Sequence, residues 1–324
     1  MKKLLSILLI MMMVFTFIGC ESNNATENNA TENNATENNA VEENNETTEE
    51  VVYYPVTFTD GMGREVTIES EPMTIVTMAP SMTETIYALG LGDRLVGRTD
   101  YCNYPEAALS VESIGSLREP NLEAIIAINP DLILMSTHAS EEVLAKLDEA
   151  GLKTAILTAQ ESFDGVYEIM TQTGTIFNAL DQANEIVSAM QADVTTVLEL
   201  VKEVDKKSVY YVVGFGEYGD YTATGDTFIH EMLEMAGGSN IATDGESWSY
   251  NLETIIEKDP EYIICSELFD TKGTLEQTEG YMELTAIKEG RLVEINQDLL
   301  SRQGPRLAEG LKAIAQLLHP ELFE

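Results

Sequence analysis

Cysteine, tryptophan, histidine and positive charge are all scarce in this chain. Three cysteines in 324 residues cannot build a disulfide framework. Cys102 lies in a Tyr/Asn/Pro-rich loop and Cys265 in the apolar run YIICS, and no pattern of spacings pairs them. They are expected as separate thiols, Cys265 buried in a strand. The three histidines, His138, His230 and His319, have no H-E-x-x-H or paired spacing that would hold zinc. Gly214-Phe215-Gly216 lacks the third glycine of a dinucleotide loop, and no G-x-S-x-G nucleophile elbow occurs. No enzyme, cofactor or resident metal is therefore expected. Only 18 basic residues face 56 acidic ones, which argues against nucleic acid or anionic lipid as a partner for the surface. A second long apolar run is also missing, so nothing beyond the first twenty residues is expected to cross a membrane.

What is present begins with MKKLLSILLIMMMVFTFIGC: a lysine pair, an apolar stretch, then Gly19-Cys20. This is an export signal, set apart from the fold. It resembles a bacterial lipoprotein signal over residues 1–19, with Cys20 as the lipidated first residue, although Phe17 departs from the usual aliphatic residue. The NNATE repeat that follows has no basic or aromatic residue and cannot bury enough apolar surface to order itself. Residues 20–54 are expected to be a lipidated, disordered tether.

The remainder alternates strands and helices. VTFTDGMGREVTI is a hairpin around Asp-Gly. TIVTMAP is a strand, and in SMTETIYALGLG the Ser81–Glu84 spacing predicts a capping box with Gly90 ending the helix. RLVGRTD, DLILMS and the end of SEEVLAKLDEAGLKTAILT are further strands, the apolar ones suited to a parallel sheet covered on both faces. SVYYVVGF, TFIHEMLEMAGGSNI, TAIKEGRLVEIN and GPRLAEGLKAIAQLLH repeat that order. In between, Ile186, Met190, Val194, Val197, Val201 and Val204 recur at helical spacing after Asp181, a plausible cap, without glycine or proline. The expected class is α/β: an N-terminal lobe over 55–180, one bridging helix over 181–205 and a C-terminal lobe over 206–324. A single stiff connector should limit opening to a modest rocking.

One unit occurs twice, 130 residues apart: NLEAIIAINPDLILMS from Asn121 and NLETIIEKDPEYIICS from Asn251. In each, the asparagine caps a short helix. In the first, Ile125, Ile126 and Ile128 are assigned to the buried face, and the residue before proline stops the helix by avoiding helical geometry. Glu123 and Glu253 occupy equivalent places. Each can complement the partial positive charge of a helix N-terminus, worth about 0.3–1 kcal/mol.

TDGMGREVTIESEPMTIVTMAPSMTETIYALGLGDRLVG, EPNLEAIIAINPDLI and SRQGPRLAEGL resemble the substrate-binding lipoproteins of ABC importers for cobalamin, haem and ferric siderophores. The likeness runs over 55–324. It implies two α/β lobes on one long helix, ligand in the cleft between them, and an extracytoplasmic, lipid-anchored monomer. It also implies a permease dimer with its ATPase subunits as partner. One glutamate per lobe, Glu123 and Glu253, would then enter basic pockets of the two permease subunits.

TDYCNYPEA, the tryptophan shortly before the second NLE, and D-x-x-x-R in DLLSR resemble cobalamin binders in particular. The resemblance implies corrin and side-arm contacts at Tyr101, Phe215, Trp248, Asp298 and Arg302. Tyr218, Tyr221 and Arg118 are further candidates beside loops. Leu117 and Ser136 depart from that subfamily, which has tryptophans there. Haem binders carry iron ligands at places that correspond to Ser116, Arg118 and Leu268 here, which disfavours haem. A ferric siderophore is the alternative ligand, with Arg118, Arg302 and Arg306 as its anion-binding groups.

Overall fold

A computed structural model describes residues 53–136, 140–217 and 219–323. The signal, Cys20, nearly all of the tether, His138 and Tyr218 lie outside the described residues. Tyr53 and Tyr54, assigned above to the tether, belong instead to the folded part. Their hydroxyls donate to the carbonyls of Thr175 and Ile176 at 2.5 and 3.0 Å.

The chain opens with a hairpin, β1 Val56–Thr59 and β2 Glu65–Ile68. The Asp60 carboxylate closes its turn, accepting from the backbone of Met62 and Arg64 and from the Arg64 guanidinium. Then come β3 Ile75–Thr77, α1 Pro80–Ala88, β4 Leu95–Arg98, α2 Leu122–Ile128, β5 Leu132–Met135, α3 Glu141–Glu149, β6 Thr154–Ile156, α4 Phe163–Ile176 and α5 Leu180–Val201. The second half comprises β7 Lys207–Gly214, β8 Asp220–Thr222, α6 Phe228–Met235, β9 Gly238–Asn240, β10 Ser249–Tyr250, α7 Leu252–Lys258 and β11 Tyr262–Ser266. It ends with α8 Thr271–Leu275, α9 Thr285–Lys288, β12 Leu292–Ile295, α10 Asp298–Ser301 and α11 Leu307–Leu318.

The N-terminal sheet is wholly parallel in the order β4-β3-β5-β6. In the C-terminal lobe β9, β7, β11 and β12 are parallel in the corresponding order. The two lobes therefore share one strand plan, and α2 and α7 each lead into the third strand of it. The C-terminal sheet adds an antiparallel margin in which β8 pairs β7 and β10 pairs β8.

Helix α5, about 33 Å long at 1.5 Å per residue, joins the lobes by packing into both. Near its start Ala183 lies with Leu89 and Met170. Further along, Met190, Val194, Val197 and Val201 enter the C-terminal core with Leu311 and Ile314. Its close contact with α4 depends on Gly174, where a Cβ would stand 2.5 Å from that of Ala183. Asp181 is not its cap: the helix begins one residue earlier, Ala179 holds the N-cap position without a side-chain bond, and Asp181 sits in the first turn.

Three local expectations are corrected. Helix α1 starts at Pro80 with Ala79 as an uncapped N-cap, so Ser81 and Glu84 form no capping box. Glu84 instead points across to the other lobe. The helices before Pro130 and Pro260 stop on left-handed Asn129 and Asp259 (φ 51° and 37°), not on extended residues. Short polar side chains tolerate that conformation. Finally, Ile126 is 45% exposed, and Ile125 alone of the α2 isoleucines is fully buried.

Candidate functional site

Every strand of the N-terminal sheet delivers residues to one edge. Ala79, Pro80 and Ser81 follow β3, Thr99 and Tyr101 follow β4, Ser136 follows β5, and Leu157, Thr158 and Ala159 follow β6. Together with Asp298, Ser301, Arg302 and Gln303, which follow β12, they line two adjoining hollows of about 320 and 140 Å3 that share Ser81, Ser136 and Ser301. This is a crevice between the lobes at the carboxyl ends of parallel strands, where such sheets bind ligands. A shallower depression of about 410 Å3 beside Arg64 and Lys153 lies outside it.

An ion-pair cluster joins the lobes, and two of its members, Asp298 and Arg302, line the larger hollow. The Glu84 carboxylate from α1, with 1% of its side chain exposed, accepts from Arg302 Nη1 at 2.8 Å, Arg306 Nε at 2.8 Å and Arg306 Nη2 at 2.7 Å. Arg302 also pairs with Asp298 at 2.6 Å and donates to the Tyr101 carbonyl at 3.1 Å. The Arg306 guanidinium lies 3.7 Å from the Tyr104 ring centre. Burial disfavours charge on Arg306, but its bonds to Glu84 outweigh that and raise its pKa above the usual arginine value. Two carboxylates and two guanidinium groups cancel, so the cluster is formally neutral.

Of the residues expected to contact ligand, Tyr101, Asp298 and Arg302 are brought together here, with Tyr101 67% exposed. Leu117 and Ser136 line the same hollow. Arg118, next to Leu117, is exposed and has no ion pair among the described residues. Phe215 and Trp248 do not line these hollows. Phe215 follows β7 at the carboxyl edge of the C-terminal sheet, half-buried with its ring edge-on to Tyr281, whereas Trp248 precedes β10 and lies beside Thr222, level with Val212 of β7. Ser247 and Trp248 are both left-handed (φ 55° and 66°), a conformation costing roughly 1–2 kcal/mol per residue. Bonds from Ser247 N to Asp226, Trp248 N to Thr224 Oγ1 and Thr222 N to the Trp248 carbonyl hold them there. Trp248 is 38% exposed. The Tyr281 hydroxyl donates to Asp220 at the start of β8, and burial pushes that phenol well above its ordinary pKa.

Two contributors were not singled out from the sequence. Glu84 carried the signature of a helix cap, and nothing local marked its partners, 218 and 222 residues away. Phe269, 92% exposed after β11, sits with Asp270 on left-handed backbone. An exposed phenylalanine beside an acidic residue has no sequence signal of its own.

The remaining chemistry-bearing residues are structural. His319 is buried with Nε2 3.0 Å from the Gly237 carbonyl, and His230 Nδ1 contacts Asn240. Cys102 and Cys265 are buried free thiols. Burial, reinforced by Glu294, pushes the Cys265 pKa up to about 11. Among the described residues no group of three or more His, Cys, Asp or Glu could hold a metal ion, and no helix is long and apolar enough to cross a membrane.

Two lobes joined by one long helix thus flank a crevice at the carboxyl ends of parallel strands. Residues 75–299 match the Periplasmic binding protein family, and the chain belongs to it. It is similar to an uncharacterized ABC transporter substrate-binding lipoprotein of Bacillus subtilis (strain 168), with 33% identity over 87% of this chain and 91% of that one. A cobalamin-binding protein of Halobacterium salinarum is 29% identical, over 82% and 74% of the two chains. A solved structure from Staphylococcus epidermidis, described as a possible iron-binding (periplasmic solute-binding) protein, superposes with TM-score 0.68. It has 28% identity and covers 77% of this chain and 100% of its own.

Proposed function

We propose that this chain is the extracytoplasmic binding component of an ABC importer, anchored through Cys20, that carries a corrinoid to a permease dimer and its ATPase subunits. The names of the Bacillus and Halobacterium relatives support the importer class and the ligand respectively. The observation that favours a corrinoid over an anionic ferric chelate is the neutral ion cluster. Arg302 and Arg306 are both engaged by Glu84, which leaves Arg98 and Arg118 as the cations near the crevice without an ion pair among the described residues. A corrinoid's neutral amide arms can use the donors of Arg302 and the acceptors of Asp298 together. A ferric chelate with several negative charges would meet Asp298 as well. Tyr101, Phe215, Trp248 and the exposed Phe269 supply aromatic faces for a large planar ligand. At about 320 Å3 the larger hollow lies at the low end of small-molecule pockets, roughly 300–1,000 Å3. A macrocycle with side arms therefore requires the lobes to part further.

The test is a fluorescence titration of Trp248, the only tryptophan, with cyanocobalamin, haemin, a ferric hydroxamate and a ferric catecholate side by side. Cyanocobalamin should quench it saturably, and Asp298→Ala should weaken that binding. Saturable binding of a ferric chelate with no response to cyanocobalamin would replace the ligand assignment and leave the importer class standing.

A further inference from the structure

The two hollows of the crevice differ in what lines them. The larger holds Asp298 and Arg302, which pair with each other. The smaller, about 140 Å3, is bordered by Ser81, Ser136, Thr158, Ser301 and Gln303. No lysine or arginine lines it, and Glu161, an exposed residue, is its only formal charge. Ser81, Ser136 and Ser301 line both hollows and so mark the passage between them.

None of these five polar side chains forms a hydrogen bond with another described residue. Polar groups withdrawn from bulk water are usually bonded, so a hollow lined with unengaged ones is suited to a polar guest. Met82, Leu157 and Ile169, all nearly buried, supply an apolar wall. The start of α1 adds two donors, because without a side-chain cap the N–H groups of Ser81 and Met82 find no acceptor among the described residues.

This lining discriminates between chemical groups. Hydroxyls and a carboxamide both donate and accept. A carboxylate offers acceptors only, would lose water without meeting a cation, and would face Glu161. An ammonium offers donors only and leaves the N–H groups of residues 81 and 82 unmatched. A primary carboxamide satisfies both kinds of partner, and its short methylene stem suits the apolar wall. The volume exceeds the roughly 30 Å3 share of one water several times over. That admits a side arm and leaves the macrocycle itself to the larger hollow.

We propose that the smaller hollow is a subsite for one primary-carboxamide arm of the ligand, and that it rejects the same arm carried as a carboxylate. The inference rests on the corrinoid reading, because a corrinoid bears several such arms.

The experiment is isothermal calorimetry of the full-length chain at about 0.15 M salt. The probes are cyanocobalamin and each isomeric monocarboxylic acid made from it by hydrolysing a single amide arm. One isomer should bind at least about tenfold more weakly than cyanocobalamin, the loss expected when a buried polar group is left unmatched. The other isomers should stay within about threefold, as exposed charges do. Gln303→Lys places a cation in the hollow and should restore the rejected isomer to within about threefold of cyanocobalamin. Ser301→Lys should do the same from the passage, and melting temperatures show that each variant is folded. If every isomer binds like cyanocobalamin, the subsite is refuted and the corrinoid reading stands. If all isomers weaken alike, general repulsion by an acidic chain explains the loss, and the subsite is again refuted. A rejected isomer that stays weak in both folded lysine variants would place the discriminating contact elsewhere and overturn the assignment. If cyanocobalamin itself does not bind, the corrinoid reading fails and the subsite falls with it.

Discussion

The two lobes share a parallel four-strand plan but differ at the crevice. After β3 the N-terminal lobe places a helix with no side-chain cap, α1, whose Glu84 is buried against arginines of the other lobe. The corresponding helix in the C-terminal lobe, α6, keeps an ordinary cap, Thr227 accepting from His230 N at 3.2 Å. The C-terminal lobe also carries the antiparallel margin β8–β10, which holds Tyr221 and, beside Thr222, Trp248. One scaffold was thus specialised twice. The N-terminal copy supplies the buried carboxylate and the C-terminal copy the arginines and most of the aromatic faces. The repeated Glu-x-x-Ile surface, by contrast, stayed the same in both.

Breaking the element common to both lobes should have the largest effect. Met190→Pro in α5 removes a helical hydrogen bond, about 3 kcal/mol or more, and empties a buried methionine site worth a further ~2–5 kcal/mol. Because α5 enters both cores, the two lobes should lose stability together in a single lowered unfolding transition. Two separated transitions in calorimetry, one at the wild-type temperature, would show that the lobes are independent of the helix. Next comes the element that sets the lobes apart. Glu84→Ala strands the Arg306 guanidinium, while Arg302 keeps Asp298; breaking a buried pair typically costs about 3–5 kcal/mol, and Glu84→Gln should cost less. Chemical denaturation reads this directly, and a loss under about 1 kcal/mol would mean the cluster is solvated and unimportant.

Much of the architecture was legible in the chain because it is written locally. The order of strands and helices, the hairpin at Asp60-Gly61 and the bridging helix follow from periodicity and turn residues. What was not legible depended on distant partners. Ser81-x-x-Glu84 satisfies the pattern of a capping box, yet Pro80 moves the helix start so that no box can form, and Glu84 finds Arg302 and Arg306 instead. Ile126 reads as core beside Ile125, but the register of α2 turns it outward. Helix α4, with Ser162 accepting from Gly165 N, was not legible because Thr171, Thr173 and Thr175 interrupt its apolar pattern, Thr173 lying on the buried face itself. Those threonines return their hydroxyls to the preceding turn, which reconciles them with the helix.

The smallest predicted difference sharpens the comparison of the repeated helices. Asn251 Oδ1 accepts from both Glu253 N and Thr254 N at 2.7 and 3.3 Å, whereas Asn121 Oδ1 accepts from Ala124 N alone at 3.0 Å. Replacing either with alanine should cost about 1 kcal/mol, with the C-terminal substitution the more damaging. Urea unfolding of the two variants in parallel decides it, and a larger loss from Asn121→Ala would reverse the ranking of the two caps.

The central claim is that the crevice offers a neutral polar floor to a neutral-armed macrocycle. Its most direct test is isothermal calorimetry of the full-length chain with cyanocobalamin at about 0.05 M and about 1 M salt, where screening falls from beyond 10 Å to about 3 Å. A neutral floor predicts saturable one-to-one binding whose affinity changes less than about threefold between the two. No binding at either salt concentration, or binding that collapses as salt rises, would contradict it.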